Sequence, residues 1–253
     1  MVYRHTIGIK HSWDRLTDMF YWPAIDLLIW GLTGLYLASL NKNSSSYLFI
    51  ILTGLVFWVI IWRAQYEITT NLLQELWDRN IVSIFSSPLT FGEWAASFMI
   101  FGLVKTIISL SFSAILALVF YHYNIINFGL YLLPSCISLL ITGWFAGFIV
   151  AGLLIRFGGK IQTLAWTGVA LLAPFSAIYY PLSVLPHWAQ TIGLFIPSTY
   201  VFEGLRQILF SHTFSFDKLL ISFALNGVYL VLSIWFFRWM FYKSLKLGLG
   251  RLI

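Results

Sequence analysis

The residues able to do chemistry in this chain are few, and their types point to charge pairing rather than bond making. Glu203 and Arg206 are three apart, so on a helix they share a face and can form an ion pair. Lys105 sits about eleven residues into the apolar run from Trp94 to Tyr121, and Asp26 lies near the inner end of the apolar run from Trp22 to Leu40. A charge at such depth costs about 2.5–3.5 kcal/mol on insertion scales, so each must have a function or a partner. For Lys105 the acids to consider are Glu67 and Asp26, while Asp26 itself is expected in the interface. No residue set suits covalent or metal chemistry. The histidines (His5, His11, His122, His187, His212) are scattered, no HExxH or GxSxG occurs, and Cys136 is the only cysteine. FGGK (157–160) lacks the spacing of a phosphate-cradling GxxxxGK[ST] loop and suits a tight turn. The expected catalytic and metal sites are therefore none, and energy for any work comes from a partner or an ion gradient.

The elements that hold these residues are membrane helices. In 253 residues, 60% are hydrophobic and 9% charged, and the mean hydropathy is +0.85. Twelve Trp, thirteen Tyr and twenty-three Phe, many at the ends of apolar runs, suit the headgroup layer. Six runs are long enough to cross a bilayer: 22–40, 47–66, 94–121, 128–155, 161–181 and 219–242. Ahead of the first, residues 11–21 place Trp13, Leu16, Met19 and Phe20 on one side and Asp14, Arg15 and Asp18 on another, which predicts an interfacial helix that Pro23 redirects into the bilayer, the alternative being a simple extension of the first span.

With the amino terminus cytoplasmic, the inside holds Arg4, Lys10, Arg15, Arg63, Arg79, Arg156, Lys160, Arg238, Lys243, Lys246 and Arg251, and the outside only Lys42, Arg206 and Lys218. That asymmetry sets both termini in the cytoplasm. The net charge of +6 then reports topology and needs no nucleic acid. The start of the chain shows no cleavable signal pattern, so the first span is expected to direct insertion.

The stretch 174–210 is too apolar for a loop and too broken for a span, with Pro174, Pro181, Pro186 and Pro197 among the chain's seven prolines. Such backbone survives at membrane depth only where protein or a watery cavity satisfies its polar groups, so this outward-facing segment is expected to cap a pathway shared by several helices. Aromatics on the first, second and fifth runs, namely Trp30, Tyr36, Phe57, Trp58, Trp166, Phe175, Tyr179 and Tyr180, are candidates to line it, and as a set favour an amphipathic cargo. On the inner side, Leu72, Leu73, Leu76, Trp77, Ile81, Ile84 and Phe85 form an apolar helical stripe ending at Ser86, Ser87 and Pro88.

Two segments together carry a resemblance. SPLTFGEW (87–94) after that cytoplasmic stripe, and PLSVLP, HW, IPSTYV and EGLRQ between Pro181 and Gln207, resemble the signatures of type-2 ABC exporter permeases, as do the span order and length. The resemblance implies an all-α membrane protein of six transmembrane helices in one permease domain (1–253), with a cytoplasmic coupling helix (74–87) and an outer re-entrant helical hairpin (184–210). It implies a homodimer in a bacterial plasma (inner) membrane, amid lipids. Each copy would dock a separate ATP-binding subunit, and that partner would hold the ATP and Mg2+ while this chain carries no cofactor. By similarity, Gln74, Glu75, Asp78, Arg79, Asn80, Ser83, Ser87 and Pro88 would meet the ATPase, and Pro186, Pro197, Glu203 and Arg206 would belong to the outer gate. The first span reads WPAIDLLIWG (22–31), closer to the drug, lipid and lipo-oligosaccharide branch than to the polysaccharide exporters. A gradient-driven transporter or channel and a membrane-embedded lipid-modifying enzyme are the competing expectations; the second has no visible catalytic residues.

Overall fold

The computed structural model describes residues 13–40, 45–78, 91–211, 213 and 215–246. Among the described residues the eight α-helices are α1 (Trp13–Leu40), α2 (Ser45–Trp77), α3 (Phe91–Tyr121), α4 (Leu132–Phe157), α5 (Thr163–Thr167), α6 (His187–Leu194), α7 (Pro197–Ser211) and α8 (Phe216–Lys246). No strand occurs among the described residues. Five stretches are long and apolar enough to cross a membrane: Thr17–Leu40, Tyr47–Trp77, Gly92–Tyr121, Ile125–Ile161 and Phe216–Lys246. α2 and α4 form the centre, packed on each other, with α1 and α3 against α2 and α8 against α4. Helices in lipid gain little from apolar burial alone, so close approach decides this packing. Gly143 provides it: a Cβ there would lie 2.5 Å from the Ala64 Cβ and 2.6 Å from the Ile61 carbonyl of α2.

Three expectations change. The fifth expected span, 161–181, is broken into α5 and short 3-10 turns at Gly168–Leu171 and Ala173–Phe175. Only Thr163–Phe175 remains as an apolar helical stretch, and its 13 residues rise about 20–25 Å, short of a hydrocarbon core of about 30 Å. Second, 11–21 does not form a helix of its own within the described residues: α1 runs from Trp13 to Leu40 through Pro23. Pro23 has no N–H to give the Met19 carbonyl, and Ser109 of α3 donates to that oxygen instead at 3.1 Å, a substitution that lets proline stay inside a membrane helix. Third, α2 does not stop near Tyr66 but continues to Trp77. Its 33 residues rise about 50 Å, well beyond the bilayer core.

The FGGK sequence does make a turn: Gly158 caps α4 at φ 65°, and a 3-10 helix follows over Gly158–Ile161. The proline-rich segment contains two helices, α6 and α7, over the expected 184–210 stretch, α7 ending one residue past it at Ser211.

Candidate functional site

Four charges lie together among α1, α2 and α3. Arg63 donates from Nη1 to Asp18 Oδ2 at 2.7 Å and from Nη2 to the Asp18 carbonyl at 2.9 Å. Its Nη1 also lies 3.5 Å from Glu67 Oε1. Lys105 donates to both Glu67 oxygens at 2.9 Å, so of its two candidate partners the structure selects Glu67. Arg63 and Glu67 are almost wholly buried, at 0% and 1% exposure. Two acids and two bases give a neutral set, which is how buried charge survives in a medium that cannot solvate it. The arrangement ties α1 and α3 to the second half of α2. Beside it, Asp18, Tyr66, Glu67, Gln74, Lys105 and Trp166 help line a cavity of about 200 Å³.

Within the same turn, between Arg63 and Glu67, α2 reaches into the broken fifth run. Gln65 Nε2 donates to the Ala165 carbonyl at 2.9 Å and Gln65 Oε1 accepts from the Val169 N–H at 3.3 Å. In a regular helix those two backbone groups would bond each other. The carboxamide thus stands inside one rung of the ladder, a recognised cause of helix breaks. Thr69 reinforces it, donating to the Ala165 carbonyl at 2.6 Å, while Gln65 Nε2 also donates to Thr69 Oγ1 at 2.7 Å. No sequence signal marked Gln65 or Thr69, because their partners are a hundred residues away.

The proline-rich segment is fastened to the same stretch further on. Arg206 Nη1 donates to Glu203 Oε1 at 2.7 Å, and its Nη2 donates to the carbonyls of Ala177 (2.8 Å) and Tyr180 (3.2 Å). Glu203 Oε1 also accepts from the Leu182 N–H at 2.8 Å. The expected pair is therefore formed, and it anchors irregular backbone, including Ala177 at φ 52°. Burial lowers the Arg206 pKa and the Glu203 charge opposes that shift, so the guanidinium stays charged. Ser198 and Thr199 of α7 donate to Ser176 Oγ (3.0 Å) and the Phe175 carbonyl (3.2 Å). Pro197 begins α7, and its carbonyl accepts from Ser222 of α8 at 2.8 Å. Ser222 in turn shares a 2.7 Å hydrogen bond with Ser138 of α4. Pro186 precedes α6 with an extended backbone.

The remaining expected residues divide. Gln74 and Glu75 belong to the end of α2, Glu75 being buried, and Asp78 is exposed just after it with its N–H on the Gln74 carbonyl. Arg79, Asn80, Ser83, Ser87 and Pro88 lie outside the described residues. Trp30 stacks with Tyr179 (centroids 6.0 Å apart), Phe175 meets Trp188 edge-on and Trp166 neighbours Trp77. Tyr36 is exposed, and Tyr180 donates to the Pro174 carbonyl. Trp58 lines a cavity with Asp26. Phe57 parts from the set, its ring fully buried in the core against Phe128. Among the described residues no group of His, Cys, Asp or Glu is arranged to hold a metal ion.

No curated protein matches this sequence. The family model described as ABC-2 type transporter matches residues 8–210, most of the chain, and spans the charge set of α1–α3, the broken stretch and the outer pair. This multi-pass, helical membrane chain belongs to the ABC-2 type transporter family, whose members are the transmembrane subunits that work with an ATP-binding partner.

Proposed function

We propose that the chain is the passive half of an ATP-driven exporter, moving an amphipathic substrate, such as a lipid-linked saccharide, lipid or drug-like molecule, out of the cytoplasm or inner leaflet. Two copies pair in a bacterial inner membrane with both termini cytoplasmic, the whole broken stretch 161–181 serving as the fifth of six crossings. Each copy docks an ATPase at residues 74–88, where ATP and Mg2+ act in the partner alone. Proline-flanked α6 and α7 dip back toward the membrane and gate the outer end. ATP favours the closed motor, and that difference in affinity between states supplies the bias.

The observation that supports this most is the reach of α2. One helix ends at Trp77, beside the proposed docking residues, and also carries Arg63, Glu67 and Gln65. A displacement at its cytoplasmic end is thereby felt by α1 and α3 through the ion pairs and by the broken stretch through the Gln65 carboxamide. The test is replacement of Asp78, Arg79 and Asn80 together by Ala. ATPase association weakens, or hydrolysis proceeds without export; normal coupled export in the triple variant contradicts the reading.

A further inference from the structure

Among the described residues Asp26 has no hydrogen bond or ion pair, whereas Asp18, Arg63, Glu67 and Lys105 pair with one another. The candidate span of α1 starts at Thr17, nine residues earlier, which places Asp26 about 14 Å along the helix axis rather than at its edge. Among the described residues it makes no hydrogen bond and no ion pair, and on a single protomer it is exposed. The neighbouring cations are taken: Arg63 by Asp18 and Glu67, Lys105 by Glu67. A carboxylate left at such depth marks a site awaiting a positive group.

The surroundings specify what kind. Asp26 lines a cavity of about 180 Å³ between α1 and α2 with Trp22, Pro23, Leu55, Trp58, Val59 and Trp62. It contains one carboxylate, three indoles and no basic side chain. Phosphate or sulfate is repelled there, a sugar lacks hydrogen-bonding partners, and a neutral hydrocarbon leaves the carboxylate uncompensated. An ammonium group meets both needs, since its charge faces Asp26 and its methyl groups face the negative ring faces of tryptophan. Trp62 already holds a cation in this way, with the Arg63 guanidinium 5.0 Å from its ring centroid. Trp22, which meets Tyr21 in an edge contact with centroids 5.4 Å apart, and Trp58 are the other two indoles lining the cavity.

Spacing extends the site along α1. Trp22, Asp26 and Trp30 are four apart and share one face, and Trp30 continues outward as the stack on Tyr179. Exposed Ile29 and Leu32 on α1 give an alkyl tail an apolar surface. We propose that the cavity between α1 and α2 binds the ammonium headgroup of an organic cation with an apolar tail, Asp26 providing the countercharge and Trp22 and Trp58 the cation–π contacts.

This deepens the exporter reading by naming a substrate class, and its role in transport rests on that reading. Binding is tested separately. The full chain, purified in a neutral maltoside detergent, is titrated with radiolabelled hexyltrimethylammonium in a scintillation proximity assay. The expected result is saturable binding that Asp26→Asn weakens by at least about tenfold, or about 1.4 kcal/mol. Trp58→Leu weakens it too, and Asp26→Glu retains it. On the unsubstituted chain, the uncharged analogue with a tert-butyl head competes poorly. Absence of saturable binding, equal competition by the uncharged analogue, or unchanged binding in a folded Asp26→Asn protein overturns the proposal. Saturable cation binding without ATP-coupled export keeps the site and removes the exporter reading, so the two failures are distinguishable.

Discussion

Replacing Glu67 with Gln turns the neutral four-charge set of α1–α3 into one with an unbalanced positive charge. Lys105 Nζ is 2.9 Å from both Glu67 oxygens, Arg63 Nη1 is 3.5 Å from one, and the Lys105 side chain is only 7% exposed. Removing one member of a buried pair leaves an uncompensated charge and costs about 3–5 kcal/mol. The low end, about 3 kcal/mol, is expected because an unfolded chain in a membrane also finds partners for its polar groups. Lys105→Met is milder, about 1–3 kcal/mol, since Glu67 keeps Arg63 within reach. The informative variant is the double one. Glu67→Gln with Lys105→Met removes one charge of each sign and leaves the Arg63–Asp18 bridge at 2.7 Å untouched. It is expected within about 1 kcal/mol of the parent, a coupling of about 3–6 kcal/mol between the two sites. Reversible unfolding in mixed micelles, run on all four proteins, gives the cycle. Additive losses in the double variant would refute the claim that this set is held by charge balance.

Further expectations rest on other contacts. Gln65→Leu strips the Val169 N–H of its partner and one donor from the Ala165 carbonyl, so stability falls by about 1–3 kcal/mol; hydrogen exchange should show faster exchange confined to 165–172. At Gly143 a Cβ overlaps the Ile61 carbonyl and Ala64, so Gly143→Ala separates α4 from α2 and lowers stability by about 1–3 kcal/mol in the same unfolding assay. Arg206→Met removes the donor to the Ala177 and Tyr180 carbonyls; limited proteolysis should cut within 177–186 faster than in the parent while the membrane helices stay protected. Glu203→Gln gives a smaller effect, because its amide oxygen still accepts from Leu182.

Hydropathy alone located the long helices, because the bilayer demands length and apolarity and little else. The Glu203–Arg206 pair was legible because its spacing is local. What lay hidden depended on groups far apart in the chain. Pro23 signalled a bend, yet α1 continues, since Ser109 supplies the missing donor from ninety residues away. The run 161–181 had the composition of a span, yet Gln65 occupies a rung of its ladder. Phe57 and Trp58 are adjacent and equally apolar, and nothing in their sequence context tells which faces the core. In water a polar face would reveal it; in lipid both faces are greasy, so the periodicity that distinguishes inside from outside is faint. Asp26 was noticed for its charge, but its cavity was not, because Trp58 and Trp62 come from another helix.

The central claim is that nucleotide turnover in a second protein moves this chain through the cytoplasmic end of α2. Cys136 is the single cysteine, so Cys136→Ser provides a background for placing one cysteine at Gln74, Asp78 or Arg79 and crosslinking to a copurified ATP-binding subunit. Crosslinks from these positions, with yields that change when ATP is added, are the predicted result. No crosslink from any of the three, together with substrate flux through liposomes containing this chain alone, would contradict it.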